Sequence, residues 1–250
     1  MSSHIIDQPL SAVLLDIEGT TTPITFVYDV LFPYARKRAR DFLASHLADR
    51  DVINDINKLR AERDLDNQKG LDPPSIRDDS SEELIESVTQ YVHWLMEMDR
   101  KSTPLKSLQG KIWEEGYKTG RLLSQLFDDV PRAFQRWHDS NVEICIYSSG
   151  SVLAQKLLFA HTEAGNIAGF IKCYFDTNTG AKTERESYLR IADALRHPPS
   201  EIAFFSDVTA ELGAARSAGM QSVLCLRPCN RPQPDSSDYP SIRSFDEMFK

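Results

Sequence analysis

The sequence predicts an α/β fold: a doubly wound parallel sheet into which an α-helical domain is inserted. Three observations carry this prediction. Residues Ala12 to Leu15 form a short, wholly apolar run that ends abruptly in Asp16-Ile-Glu18, as suits a strand buried on both faces. From about residue 142 onward, strand-like and helical patterns alternate, the pattern of parallel strands joined by crossover helices. Between the two regions lie about 120 residues with helical spacing and no convincing strand. Parallel pairing through right-handed crossovers requires the first strand to lie beside the later ones. The economical division therefore makes residues 1–22 and 130–250 an α/β core and residues 23–129 an inserted helical domain.

Taken in order, Val27, Leu31, Tyr34, Phe42 and Leu47 recur at roughly helical spacing, and Pro33 is expected to break this stretch into two helices. Val52, Ile53, Ile56 and Leu59 mark another helix. Asp64 to Ser81, polar and holding Gly70, Pro73 and Pro74, reads as a long loop. Ser81-Glu-Glu-Leu opens a helix with acids in its first turn, matching the helix dipole. A further helix starts at Thr103 or Pro104, and Pro131 opens one carrying Phe134 and Trp137. Strands are then expected at Val142–Tyr147, Ile171–Phe175, Ile202–Phe205 and, last, Gln221–Leu226. Helices fit between them, the one from about Thr209 stopping at Gly219. The tail from Arg227 to Pro240 reads as irregular, with a final turn at Phe245–Phe249.

Composition narrows the class. The 250 residues are 41% apolar and 26% charged, with a net charge of −8. That charge argues against general affinity for nucleic acid or anionic membranes, but leaves room for an anionic small substrate at a locally positive site. No apolar run approaches the roughly 18 residues of a membrane span. The N-terminus has no basic region followed by an apolar one, so a cytoplasmic location is expected, with a nuclear pool also possible in a eukaryotic source. Cys145, Cys173 and Cys225 fall in apolar strand-like runs, as buried reduced thiols do. The Cys225-x3-Cys229 pair has no matching second pair, so neither a zinc site nor a disulfide is expected. A solvated helix face accounts for the basic run Arg36-Lys-Arg-Ala-Arg40.

Polar groups recur at the predicted strand ends. They are Asp16 and Glu18, Ser148 and Ser149, Lys182 beyond the third strand's loop, and Asp207 with Glu211. In a parallel sheet the carboxyl ends lie along one edge, where ligands bind. Each group also has a plainer reading. Ser148-Ser-Gly-Ser151 suits a helix N-cap, Lys182 an exposed position at a helix start, and Asp207 a cap. Together they supply a nucleophile, an acid, hydroxyl and amide donors for a phosphate, a cation, and paired carboxylates suited to the oxygen-seeking Mg²⁺.

This arrangement resembles the haloacid dehalogenase-like hydrolases. Asp16-Ile-Glu-Gly-Thr20, Ser148-Ser149, Lys182 and Asp207-x3-Glu211 match their four motifs. It resembles more closely the enolase-phosphatase family of methionine salvage, through Leu15-Asp-Ile-Glu-Gly-Thr-Thr-Thr-Pro-Ile24, Phe32-Pro-Tyr34, Leu108-Gln-Gly-Lys-Ile-Trp113, Tyr147-Ser-Ser-Gly-Ser151 and Phe204-Phe-Ser-Asp207. The similarity spans nearly the whole chain but has no sharp marker after about Pro228. The residue after Lys182 is Thr, where many of the hydrolases have Pro.

The resemblance implies a Rossmann-like core with a helical cap, and a Mg²⁺-dependent phosphatase acting on a phosphorylated diketone. Asp16 would be the nucleophile and Glu18 the acid and base. Asp16, Asp207 and the backbone carbonyl of Glu18 would hold the metal. Ser148, Ser149 and Lys182 would bind phosphate, and Glu211 would orient the metal's waters. It also implies enolisation before phosphate release, by a base the sequence does not identify. Phe26, Tyr28, Trp113 and Tyr117 either line a pocket for an apolar substrate end or form the core of the helical domain. A phosphatase for another small ester and a non-catalytic interaction module are the alternatives. A monomer is the default expectation.

Overall fold

A computed structural model describes residue 6 and residues 9–249. Two compact units are present. One combines the residues up to Val27 with those from Leu123 onward, and the other runs from Tyr28 to Leu122. These divisions lie inside the 22/23 and 129/130 boundaries expected from sequence. The reason is local: Phe26 is buried, Phe127 N–H donates to the Thr21 carbonyl at 3.1 Å, and Ser124 N–H donates to the His161 carbonyl at 2.7 Å.

The first unit is built on a six-stranded sheet. Its strands are β1 (Ala12–Leu15), β2 (Glu143–Tyr147), β3 (Ile171–Phe175), β4 (Ile202–Ser206), β5 (Gln221–Cys225) and β6 (Ser241–Ile242). Their order is β3-β2-β1-β4-β5-β6, and every pairing is parallel. β1 is central, with Leu15 opposite Ile146 on one side and Phe205 on the other.

Its all-apolar sequence follows from that position. Val13 and Leu15 pack on one face with Phe134, Trp137 and Phe159, while Ala12 and Leu14 pack on the other with Tyr147, Tyr188 and Leu212. Full burial of each such leucine contributes about 1.5–3 kcal/mol. The sixth strand was not expected. β6 has two residues, too few for a period-2 pattern to show, and it forms because Leu226 N–H reaches the Ile242 carbonyl at 2.8 Å and Leu224 N–H the Pro240 carbonyl at 2.9 Å.

The second unit contains four helices: α1 (Phe32–His46), α2 (Arg50–Gln68), α3 (Ser81–Glu97) and α4 (Thr103–Lys118). Pro33 does not break the first stretch. A π-helical segment, Phe26–Leu31, runs directly into α1 with Pro33 in its first turn, where a missing N–H is tolerated. α2 also extends beyond the expected loop start at Asp64. Asp66 is buried in that last turn, accepting hydrogen bonds from Tyr91 Oη at 2.9 Å and Arg100 at 2.8 Å, so a polar sequence is held in a helix by tertiary partners. Ser80 and Ser102 cap α3 and α4, accepting from the Glu83 and Leu105 amides, each at 3.2 Å. Phe26 and Tyr117 are buried and Tyr28 is exposed. Trp113 donates its indole N–H to the Leu31 carbonyl at 2.9 Å. The basic run is a surface ion-pair face: Arg36 meets Glu97 at 2.5 Å, Arg38 meets Asp41 at 3.0 Å, and Arg40 meets Glu82. Among the described residues, no helix is long and apolar enough to cross a membrane.

The crossover helices α5 (Val130–Asp139), α6 (Val152–Ala160), α7 (Arg185–Leu195) and α8 (Thr209–Ser217) complete the first unit. After β5 the chain makes a tight turn over Arg227-Pro-Cys-Asn230, closed by Asn230 N–H to the Arg227 carbonyl at 3.2 Å. Pro228 presets the second position of the turn. Cys229, third, is held at φ +67°, in the left-handed region that costs an L-residue about 1–2 kcal/mol. Replacing Cys229 by Gly removes that strain. The variant is expected to gain about 1 kcal/mol and to raise Tm by about 2–4 °C in a thermal melt; a lowered Tm would show that the side chain contributes more packing than strain.

Candidate active site

The carboxyl end of β1 is where the sheet order reverses, with β2 to one side and β4 to the other. Crossovers leave in opposite directions there and a crevice opens. Asp16 stands at that point, its amide donating to the Phe205 carbonyl at 3.0 Å, with only 3% of its surface exposed. The loop that follows curls tightly. Thr20, Thr21 and Thr22 all donate their amides to the Ile17 carbonyl, and Gly19 N–H reaches Thr22 at 2.8 Å.

Lys182 arrives from the loop after β3. Its Nζ lies 2.6 Å from Asp16 Oδ1 and 2.7 Å from Glu211 Oε2. The lysine is itself positioned: Tyr188 Oη donates to its carbonyl at 2.7 Å, and its ammonium lies 5.9 Å from the Tyr147 ring centroid. Glu211, in the first turn of α8, accepts from Ser206 Oγ at 2.9 Å. Ser148, at the end of β2, is 3.4 Å from Glu18 Oε2 and accepts from the Gly150 amide at 3.1 Å. Ser151 caps α6, accepting from Ala154 N–H at 3.3 Å. The capping role belongs to Ser151, while Ser148 faces Glu18 and Ser149 stands exposed at the strand end. Asp207, buried after β4, presses against Gly19. A Cβ on that glycine would fall 2.6 Å from Asp207 Oδ2 and 2.7 Å from Asn230 Oδ1.

Electrostatics follow from crowding. Burial first, then the Asp16 and Glu211 charges, push Asp207 up to about 7 against the pull of Lys182. Burial and Asp16 push Glu211 to about 7 as well. Glu18 is also raised, by burial and then by Asp16, with Lys182 and Ser148 opposing. Burial lowers the affinity of Lys182 for its proton, but the Asp16 and Glu211 carboxylates outweigh this and raise it. The cluster thus has more carboxylate than one ammonium can balance, and its donors are hard oxygens, which suits a divalent cation such as Mg²⁺. Among the described residues, no group of three His, Cys, Asp or Glu side chains is arranged to hold a metal. The side chain of Glu18 is directed to Ser148, and the carboxylates left nearest each other around Gly19 and Lys182 are those of Asp16, Asp207 and Glu211.

Three further residues shape the site without any signal in the sequence. Asn230 Nδ2 donates to the Gly19 carbonyl at 2.9 Å and the Cys225 carbonyl at 3.0 Å. Arg227 Nε donates to the Thr20 carbonyl at 3.1 Å, and its guanidinium pairs with Asp129 at 2.9 Å. They come from a proline-rich tail and from the start of α5, where neither spacing nor composition marks them.

A haloacid dehalogenase-like hydrolase family model matches residues 10–219. Over 239 residues, 96% of this chain and 98% of the relative, the sequence is 49% identical to enolase-phosphatase E1 of Synechococcus elongatus. The chain belongs to the haloacid dehalogenase-like hydrolases, in the enolase-phosphatase E1 family. An E1 protein of Persephonella marina is 41% identical over 96% of this chain and 98% of its own length. A Sorghum bicolor protein, described as a probable bifunctional methylthioribulose-1-phosphate dehydratase/enolase-phosphatase E1, is 43% identical over 94% of this chain and 46% of its own length. Among solved structures, the UTR4 protein of Saccharomyces cerevisiae superposes with a TM-score of 0.75 at 33% identity, covering 95% of this chain and 99% of that one. Haloacid dehalogenase-like hydrolases and enolase-phosphatases generally use Mg²⁺.

Gly19, at φ +71° and against Asp207, gives the site a direct test. Gly19→Ala adds left-handed strain and a clash with a carboxylate, and is expected to cost about 2 kcal/mol or more in urea unfolding. An unchanged unfolding midpoint would mean that the loop rebuilds around the methyl group.

Proposed function

We propose that the chain converts 2,3-diketo-5-methylthiopentyl-1-phosphate to the acireductone 1,2-dihydroxy-3-keto-5-methylthiopentene and phosphate, as a Mg²⁺-dependent monomer in the cytoplasm. The observation that carries this reading is the ion-paired set Asp16, Lys182 and Glu211 at the sheet's switch point, with Glu18, Ser148 and Asp207 around it, in an enolase-phosphatase E1 relative. The fused sorghum relative supports the substrate class, because loss of water from a phosphorylated ketopentose leaves a phosphorylated diketone.

In the enolisation, a base takes a proton from the carbon between the ester oxygen and the C2 carbonyl, the C–H electron pair forms the C1=C2 bond, and the carbonyl π pair moves onto its oxygen, which takes up a proton. In the phosphoryl transfer, an Asp16 carboxylate oxygen attacks phosphorus in line, and the bond to the substrate oxygen breaks. The raised Glu18 carboxyl gives its proton to that leaving oxygen. Water then attacks the aspartyl-phosphate while Glu18 takes its proton, and the bond to Asp16 breaks to release phosphate. Lys182, Ser148 and Ser149 hold the phosphate oxygens, and charge-assisted donors of this kind strengthen as negative charge builds. The Asp16 and Asp207 carboxylates and the Glu18 carbonyl would hold Mg²⁺, whose charge neutralises the phosphoryl group and polarises a substrate carbonyl. Glu211 orients the ion's waters and fixes Lys182.

Incubation with the diketo phosphate and Mg²⁺ is expected to yield enediol absorbance together with free phosphate. Phosphate without enediol would reduce the assignment to a phosphatase of another ester, and neither product would overturn it. Asp16→Asn is expected to abolish phosphate release, and substantial remaining turnover would remove Asp16 as the nucleophile.

A further inference from the structure

The four-residue turn after β5 grips two successive carbonyls of the loop that follows Asp16. Its first residue, Arg227, holds Thr20, and its last, Asn230, holds Gly19. Neither grip is a loose surface contact. The Arg227 side chain is 3% exposed, lies between the Phe127 and Phe245 rings at 4.5 and 4.8 Å, and pairs with an Asp129 carboxylate that also accepts from Ser244 Oγ at 3.1 Å and the Phe245 amide at 2.5 Å. The amide of Asn230 is oriented unambiguously, because Nδ2 donates to two carbonyls. Its Oδ1 therefore faces the other way. That oxygen is buried, has no hydrogen-bond partner, and lies on the same side of Gly19 as Asp207 Oδ2. A buried acceptor left unpaired is costly, so its place beside the Asp207 carboxylate calls for a partner on that side.

We propose that Asn230 is a positioning residue for the catalytic loop, with two functions at its two amide atoms. Nδ2 pins the Gly19 carbonyl, which fixes the backbone that carries Asp16 and Glu18. Oδ1 accepts from a water of the cation held by Asp16 and Asp207. Arg227 braces the same loop one residue further on, and Asp129 holds Arg227 in place. The first function stands on the loop geometry alone. The second rests on the Mg²⁺-dependent reading above, and its test is separable from that reading.

The experiment compares wild type with Asn230→Ala and with the isosteric Asn230→Asp, which cannot donate to Gly19 and adds charge beside Asp207. Amide hydrogen exchange without substrate or metal reads the loop directly. Both variants are expected to lose protection at Gly19 and Thr22, whatever the protein's activity, while unchanged protection overturns the pinning role. Calorimetric titration of Asn230→Ala with Mg²⁺ alone is expected to show affinity weakened about 10- to 100-fold, the usual effect of removing a residue that supports a metal site, whereas Asn230→Asp keeps the acceptor and is expected to hold its affinity. The same factor is expected in kcat, with KM for the diketo phosphate held within about threefold. Mg²⁺ affinity equal to wild type in folded Asn230→Ala overturns the second function. Failure of wild type itself to bind Mg²⁺ or release phosphate would instead overturn the functional reading and leave the exchange result standing. Arg227→Lys keeps the charge but loses the fork. It is expected to lose protection at the loop amides with a smaller fall in kcat than Asn230→Ala, and unchanged protection would overturn the brace.

Discussion

The ammonium of Lys182, wedged between the carboxylates of Asp16 and Glu211, is the interaction on which the site depends. Each of these charges would be costly to bury alone, and removing one partner of such a set leaves the others uncompensated. The lysine therefore has a structural task of its own. It ties Asp16, at the end of β1, to Glu211, in the first turn of α8, through one nitrogen that arrives from the loop after β3. One ammonium does not balance four acids, and burial, followed by the charge of Asp16, raises Asp207, Glu211 and Glu18. A divalent cation would relieve that imbalance.

Sheet topology makes the gathering possible. β1 pairs with β2 and β4, which follow it in sequence by more than a hundred residues. Parallel pairing puts all carboxyl ends on one edge, and the reversal of strand order at β1 opens that edge to a ligand. The helical unit inserted after β1 lengthens the connection without disturbing the pairing, because loop closure grows more costly only slowly with length.

The tail after β5 is as much a part of the site as the strands. Strands β1 to β5 pair with one another without its atoms. The curled backbone at Gly19 and Thr20, however, needs donors for its outward carbonyls, and these come from Asn230 and Arg227. The strained Cys229 in the turn between them is consistent with a segment whose shape is set by what its ends must reach.

The sequence by itself determined the fold class, the strand that ends in Asp16, and the residues Asp16, Glu18, Ser148, Ser149, Lys182, Asp207 and Glu211 as members of one edge. It could do so because those features are local: an apolar run of four, a polar residue at its end, and a repeating alternation of strand and helix. Pairing through Lys182, the divided roles of Ser148 and Ser151, the sixth strand, and the continuation of α2 through Asp66 were decided by tertiary structure. In each case the deciding contact joins residues far apart in the chain. β6 is too short to show a period and is held only by its neighbour. Asp66 stays helical because Tyr91 and Arg100 satisfy it. Asn230 and Arg227 sit in a segment whose composition reads as irregular, and their role appears only when the fold brings them to Gly19 and Thr20, because a hydrogen bond to a distant carbonyl leaves no mark on local spacing.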